Sequence, residues 1–92
     1  MENRAARLLE RYKFHDDNKN LECNIDEQWI IDNIFNSKCE YCGVTGWRVL
    51  GCDRKDNSIG HTKDNCVPCC WPCNMHKNTR NYEEYMKQIK LQ

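Results

Sequence analysis

The 92 residues carry 14 Lys and Arg against 14 Asp and Glu, a formal net charge of zero, with a mean hydropathy of −0.96. Bulk positive charge is therefore excluded as a means of binding nucleic acid, and any phosphate contact has to come from a local basic face. Apolar runs stop at the length of Trp29-Ile30-Ile31, too short to span a membrane, and Met1-Glu2-Asn3-Arg4 opens no export signal, so an intracellular, cytoplasmic protein is expected.

A chain of this length makes one domain, close to the size at which a core often needs a metal or other staple. Ala5, Leu8, Leu9 and Tyr12 recur at helical steps and predict an amphipathic helix over about residues 3–13. Asp16 to Asn20 reads as a polar loop. Asn24 followed by Glu27 has the form of an N-cap with its partner, opening a helix that carries Trp29, Ile30, Ile34 and Phe35. Residues 1–38 hold no obvious chemistry and are expected to form a helical cap over the core. Cys39 to Gly43 has the form of a knuckle, with a second turn closed at Gly46. Trp47 to Cys52 is a short β-like run ending at Asp53, and 54–64 is a polar loop with Gly60 as its flexible point. Cys66-Val67-Pro68 is a second short strand. Pro72 suits the first turn of a helix, where its missing N–H costs nothing. Asn81 with Glu84 caps a last helix, 81–92, that packs through Tyr82, Tyr85, Met86 and Ile89.

Eight cysteines need a reason. With no export signal, a disulfide scaffold is disfavoured. Cys39-Glu40-Tyr41-Cys42 and Cys70-Trp71-Pro72-Cys73 are C-x2-C pairs, a spacing that turns two thiolates toward one tetrahedral ion. Cys66 and Cys69 form a third pair that could compete. Cys70 and Cys73 are preferred because Pro72 sets them at a helix start. A second zinc on Cys23, Cys52, Cys66 and Cys69 stays open, although buried free thiols are the commoner outcome.

Knuckle, β-hairpin and helix with a second cysteine pair is the treble-clef order, and the expected class is α+β: a treble-clef core (39–80) with two N-terminal helices and a C-terminal one. Over residues 39–77 the blocks Gly51-Cys52-Asp53-Arg54-Lys55-Asp56-Asn57, Gly60-His61-Thr62-Lys63-Asp64-Asn65 and Cys70-Trp71-Pro72-Cys73-Asn74-Met75-His76-Lys77 stand in sequence. This set resembles the HNH (ββα-metal) endonucleases, in particular the small phage and mobile-element type, so a phage, viral or mobile-element origin is compatible. The resemblance implies a structural zinc on Cys39, Cys42, Cys70 and Cys73, and a magnesium or manganese ion on Asp53 and Asn74 that binds the scissile phosphate. Hard oxygen donors suit such an ion. Asn65 is implied as the brace of the loop bearing the general base. Cleavage would leave a 5′-phosphate and a 3′-hydroxyl.

The chain departs from the family where Asp53-Arg54 replaces the usual Asp-His. A guanidinium cannot accept a proton, so Arg54 could steady a phosphate but not activate water. His61 is the nearest candidate base, with an unperturbed pKa of about 6.5. Lys63, Lys77 and Arg80 are candidates for a phosphate-binding face. His76 is read as a surface or phosphate-facing residue, Asn78 as sharing the face of Asn74, and Trp29, Trp47 and Trp71 as core. The expected function is a metal-dependent endonuclease acting on nucleic acid, DNA first, with a dimer or protein partner as a possible source of specificity. The alternative is a catalytically weak or inactive treble-clef domain that binds nucleic acid or a protein.

Overall fold

The computed structural model describes residues 1–90. Helix α1 (Glu2–Asn18) extends well past the expected 3–13. Its inward stripe of Ala5, Leu8 and Tyr12 continues to Asp16 at the next four-residue step, and Asp16 is 0% exposed. The polar run read as a loop is thus helical through Asn18, because its carboxylate finds buried partners outside the helix. The chain leaves α1 through Asn20 in a left-handed turn, φ +57°.

Helix α2 (Glu27–Ile30) is capped by Asp26, whose side chain accepts from the Trp29 N–H at 2.8 Å, and not by Asn24 as the sequence suggests. The helix then widens over Ile31–Phe35, where the Asn36 N–H reaches back five residues to the Ile31 carbonyl. Ile30, Ile34 and Phe35 enter the core with Ala5, Leu8, Ile25 and Leu50, and Trp29 and Trp47 pack against it. Trp71 does not: it opens a helix and is 67% exposed.

Strands β1 (Leu50–Arg54) and β2 (Cys66–Cys70) pair antiparallel, Leu50 opposite Cys70 and Arg54 opposite Cys66. Strand β1 lies slightly further along the chain than its sequence run indicates, and β2 starts at Cys66 as expected and runs two residues further. Helix α3 (Trp71–Lys77) follows β2 directly, with Pro72 in its first turn. Helix α4 (Tyr82–Lys90) begins with the Asn81 side chain accepting from the Glu84 N–H at 2.9 Å, as expected. Residues 91 and 92 of the expected 81–92 helix lie outside the described residues. The class is α+β, and β1, β2 and α3 form the ββα unit. No helix among the described residues is long and apolar enough to cross a membrane.

Helix α1 holds this unit by side chains as well as by apolar contact. Arg4 donates to the carbonyls of Trp47 and Leu50 at 3.1 and 3.0 Å. The Cys52 N–H, on the strand edge left open by a two-stranded sheet, donates to the Tyr12 hydroxyl at 2.9 Å. An edge N–H facing protein needs such a partner.

Candidate active site

Two cysteine pairs meet at one point. The Sγ atoms of Cys39, Cys42, Cys70 and Cys73 lie within 4.8 Å of one another, and those of Cys42 and Cys70 are 3.6 Å apart. Four sulfurs around one tetrahedral zinc stand about 3.8 Å apart, so the cluster fits such an ion. The knuckle is fixed by the Cys39 N–H to the Val44 carbonyl at 2.8 Å and by Gly43, whose φ of +79° suits glycine. The Cys70 N–H donates to the Cys39 sulfur at 3.4 Å. Burial pushes the Cys39 thiol up, but the N–H groups of Cys70, Cys42 and Tyr41 outweigh it and bring it to about 7. Burial first, then the neighbouring sulfurs, push Cys73 up. Four packed sulfurs cannot all carry charge without a cation between them. The competing pair is placed elsewhere: the Cys69 thiol donates to the Cys70 carbonyl, and Cys66 lies beside Cys52.

A cavity of about 300 Å³ opens between α1, β1 and α3, and Asp53, Arg54, His61 and Asn74 all line it. Asn78 lines it too, sharing the side of Asn74 as the helical spacing indicates. Asp53, near the end of β1, is almost buried. Its Oδ2 accepts from the Tyr41 hydroxyl, and its two oxygens lie 3.2 and 3.4 Å from the Lys77 ammonium. Burial and then this hydrogen bond push the Tyr41 phenol far up. A carboxylate has about four acceptor directions, so Asp53 keeps capacity toward the cavity. One carboxylate and nearby amide oxygens are donors that fit magnesium or manganese, ions that keep several waters and share the phosphate of a substrate.

Lys77 is the main correction to the sequence reading. It is 0% exposed, with its ammonium shared between Asp53 and the Arg54 carbonyl at 3.3 Å, so it cannot belong to a surface phosphate-binding face. The last turn of α3 directs it inward, where an unpaired carboxylate would be costly. Arg80 wraps the C-terminal end of α3, donating to the carbonyls of Lys77 and His76 and to Gln88. Lys63 is exposed. Arg11, which the sequence did not single out, lines the cavity. His76 is exposed and its Nδ1 meets the Tyr85 hydroxyl at 3.0 Å.

The 54–64 loop is strongly tied. The Asn65 amide donates to the carbonyls of Asp56, Ile59 and Gly60 at 3.0, 3.2 and 3.0 Å, and its oxygen accepts from the Asp56 N–H. Arg54 donates to the Asn57 and Ile59 carbonyls, so part of its guanidinium braces the loop that leads to His61. Gly60 is not a flexible point. A Cβ there would stand 1.9 Å from the Glu22 carbonyl oxygen, so glycine is required by close approach. Asn24 accepts from the Lys63 N–H at 2.8 Å.

His61 itself is buried. Its backbone N–H donates to Asp16 Oδ2 at 2.8 Å, its Nδ1 lies 3.0 Å from both Asp16 oxygens, and Tyr12 stacks on its face at 4.2 Å. Residues 1–38 are therefore more than an apolar cap. Tyr12, His15 and Asp16 were missed by sequence reasoning, although their spacing on α1 puts Tyr12 and Asp16 one turn apart on one side, a polar signal on an otherwise apolar stripe.

No protein-family model matches the chain. It is 36% identical over 77 residues to an uncharacterized protein of Acanthamoeba polyphaga mimivirus, a match spanning 83% of this chain and 14% of that protein. It superposes on the rare-cutting HNH restriction endonuclease PacI with a TM-score of 0.71 at 15% identity, over 95% of this chain and 75% of that one. The chain has the HNH-type, ββα-metal fold.

Proposed function

We propose that the protein is a metal-dependent endonuclease that hydrolyses phosphodiester bonds of nucleic acid, DNA in the first instance. The observation that carries this is the convergence of Asp53, Arg54, His61 and Asn74 on one cavity, in a chain that also brings four cysteines to one point. The likeness in fold to an HNH restriction endonuclease supports the same reading. The chain acts as one domain: 1–38 braces the site, 39–80 forms the core, and α4 packs on the knuckle through Tyr82 and Tyr85 against Tyr41.

Cys39, Cys42, Cys70 and Cys73 hold zinc as a structural staple. Asp53 and Asn74 hold magnesium or manganese, which neutralises charge on the phosphate oxygens when bound. His61 takes a proton from water at Nε2 as the water oxygen forms its bond to phosphorus. The bond from phosphorus to the 3′ oxygen breaks, that oxygen takes a proton from solvent, and a 5′-phosphate and a 3′-hydroxyl result. The part of the Arg54 guanidinium not committed to the loop carbonyls steadies developing negative charge. Lys63, with Arg11 nearer the cavity, attracts the backbone of the substrate.

The alternative, an inactive nucleic-acid- or protein-binding module, is favoured by the pairing of Asp53 with Lys77, which sets a protein cation where a metal would have to compete. Plasmid nicking with manganese and with a chelator separates the two. The nuclease reading expects cleavage in manganese alone, with 5′-phosphate ends. Plasmid left intact by zinc-loaded protein in both conditions, but retarded in a gel, would favour the binding module.

A further inference from the structure

Asp16 lies outside every motif of the ββα unit, yet its carboxylate is the most thoroughly engaged acid in the molecule. It is fully buried on α1, accepts the His61 backbone N–H, and has His61 Nδ1 at 3.0 Å and His15 Nδ1 at 3.2 Å. A buried carboxylate gripping both the backbone and one ring nitrogen of a single histidine does more than anchor a loop, since the backbone contact alone would do that. We propose that Asp16 is the positioning residue of the site, holding His61 with its proton on Nδ1 and its Nε2 free to receive a proton from water. This rests on the base role given to His61 above.

The geometry carries the assignment in three ways. The ring edge is fixed by Asp16 and the ring face by Tyr12, stacked at 4.2 Å and 16°. Tyr12 is itself held by the Cys52 N–H, so the imidazole is referenced to β1, the strand that bears Asp53. The Nε2 atom has no partner among the described residues and is not sealed from solvent, while the residue lines the cavity. A carboxylate acceptor on one ring nitrogen forces the neutral ring to carry its proton there, leaving the other nitrogen with a lone pair. The charged and titratable groups facing the ring are Asp16, His15 and Tyr12 from α1 and Arg54 from β1. Burial would raise the Asp16 carboxyl. The His61 N–H and the two histidine rings outweigh it and hold it below its ordinary value, so Asp16 is an anion wherever the ring is neutral.

The test uses the full chain with zinc bound. Nitrogen-15 NMR of the neutral wild-type protein should find His61 protonated on Nδ1, and Asp16→Asn should move that proton to Nε2. Asp16→Asn should lower kcat on the order of 10²–10⁴-fold, with KM, zinc content and Tm little changed. An Nε2–H tautomer in the wild type overturns the proposal whether or not the variant folds. So does loss of the Nδ1 proton when zinc or manganese alone is added, which would make His15, Asp16 and His61 a metal site. Asp16→Asn with unchanged kcat, while His61→Ala is dead, reduces Asp16 to a loop anchor and overturns this inference alone. A silent His61→Ala removes the base reading and this inference with it.

Discussion

At the scale of single residues, the chemistry is decided by who is paired with whom. Lys77 and Asp53 form a nearly buried pair, and Lys77→Met leaves the carboxylate without its cation. Breaking a buried pair by removing one partner costs about 3–5 kcal/mol, so chemical denaturation should show a loss of that order unless a divalent ion is added. Added manganese should restore part of the loss in Lys77→Met and less in the wild type; no difference between them would argue against a cation site at Asp53. His61 gives a pH test. Its burial lowers the pKa from 6.5, and this outweighs the opposite effect of Asp16. Protonation occupies Nε2, so activity should be lost as pH falls through that lowered value and should be flat above about 6.5. A rate that keeps rising tenfold per pH unit from 7 to 9 would instead assign the proton loss to another group. Little of this was legible in the sequence: Asp53, His61 and Asn74 stand in recognisable blocks, but the burial of Lys77 depends on the inward direction of one helical turn, which no spacing encodes.

At the scale of elements, the 54–64 loop is held from both sides. Asn65 and Arg54 brace it from the ββα unit, and Asp16, Glu22 and Asn24 close on it from the N-terminal segment. Gly60 sits at the tightest point. Gly60→Ala should destabilise the protein by about 1–3 kcal/mol or more, as overpacking does, and the urea midpoint measures it. A neutral substitution would mean the loop gives way easily and cannot position His61. The strands, α3 and its proline, and the cap of α4 were readable because local pattern and turn chemistry agree there. Helix α1 was read too short because a polar residue at an inward position looks like a helix end until its distant partner is known. The cap of α2 was misassigned because Asn24 is used instead on the loop at Lys63, a contact across 39 residues.

At the scale of the molecule, the four-cysteine cluster, the apolar core and α1 act together. The core is small, and the four-cysteine cluster ties the knuckle to the start of α3. Removal of zinc should unfold the chain, because in small sites metal binding and folding are coupled. Circular dichroism with a strong chelator should show loss of helix, and metal analysis of the intact protein should give one zinc per chain; a fully folded apo-protein would contradict the role of staple. Substitution at Asp53 has to respect the same economy of pairing, so Asp53→Asn, which keeps two hydrogen-bonding atoms, is the suitable variant. The decisive measurement is therefore plasmid-nicking rate in manganese for wild type, Asp53→Asn and His61→Ala at equal zinc content. Cleavage by the wild type, with each variant slower by on the order of 10²-fold or more, is the predicted result. Equal rates in all three proteins, or no cleavage in any, would contradict a nuclease site in this cavity.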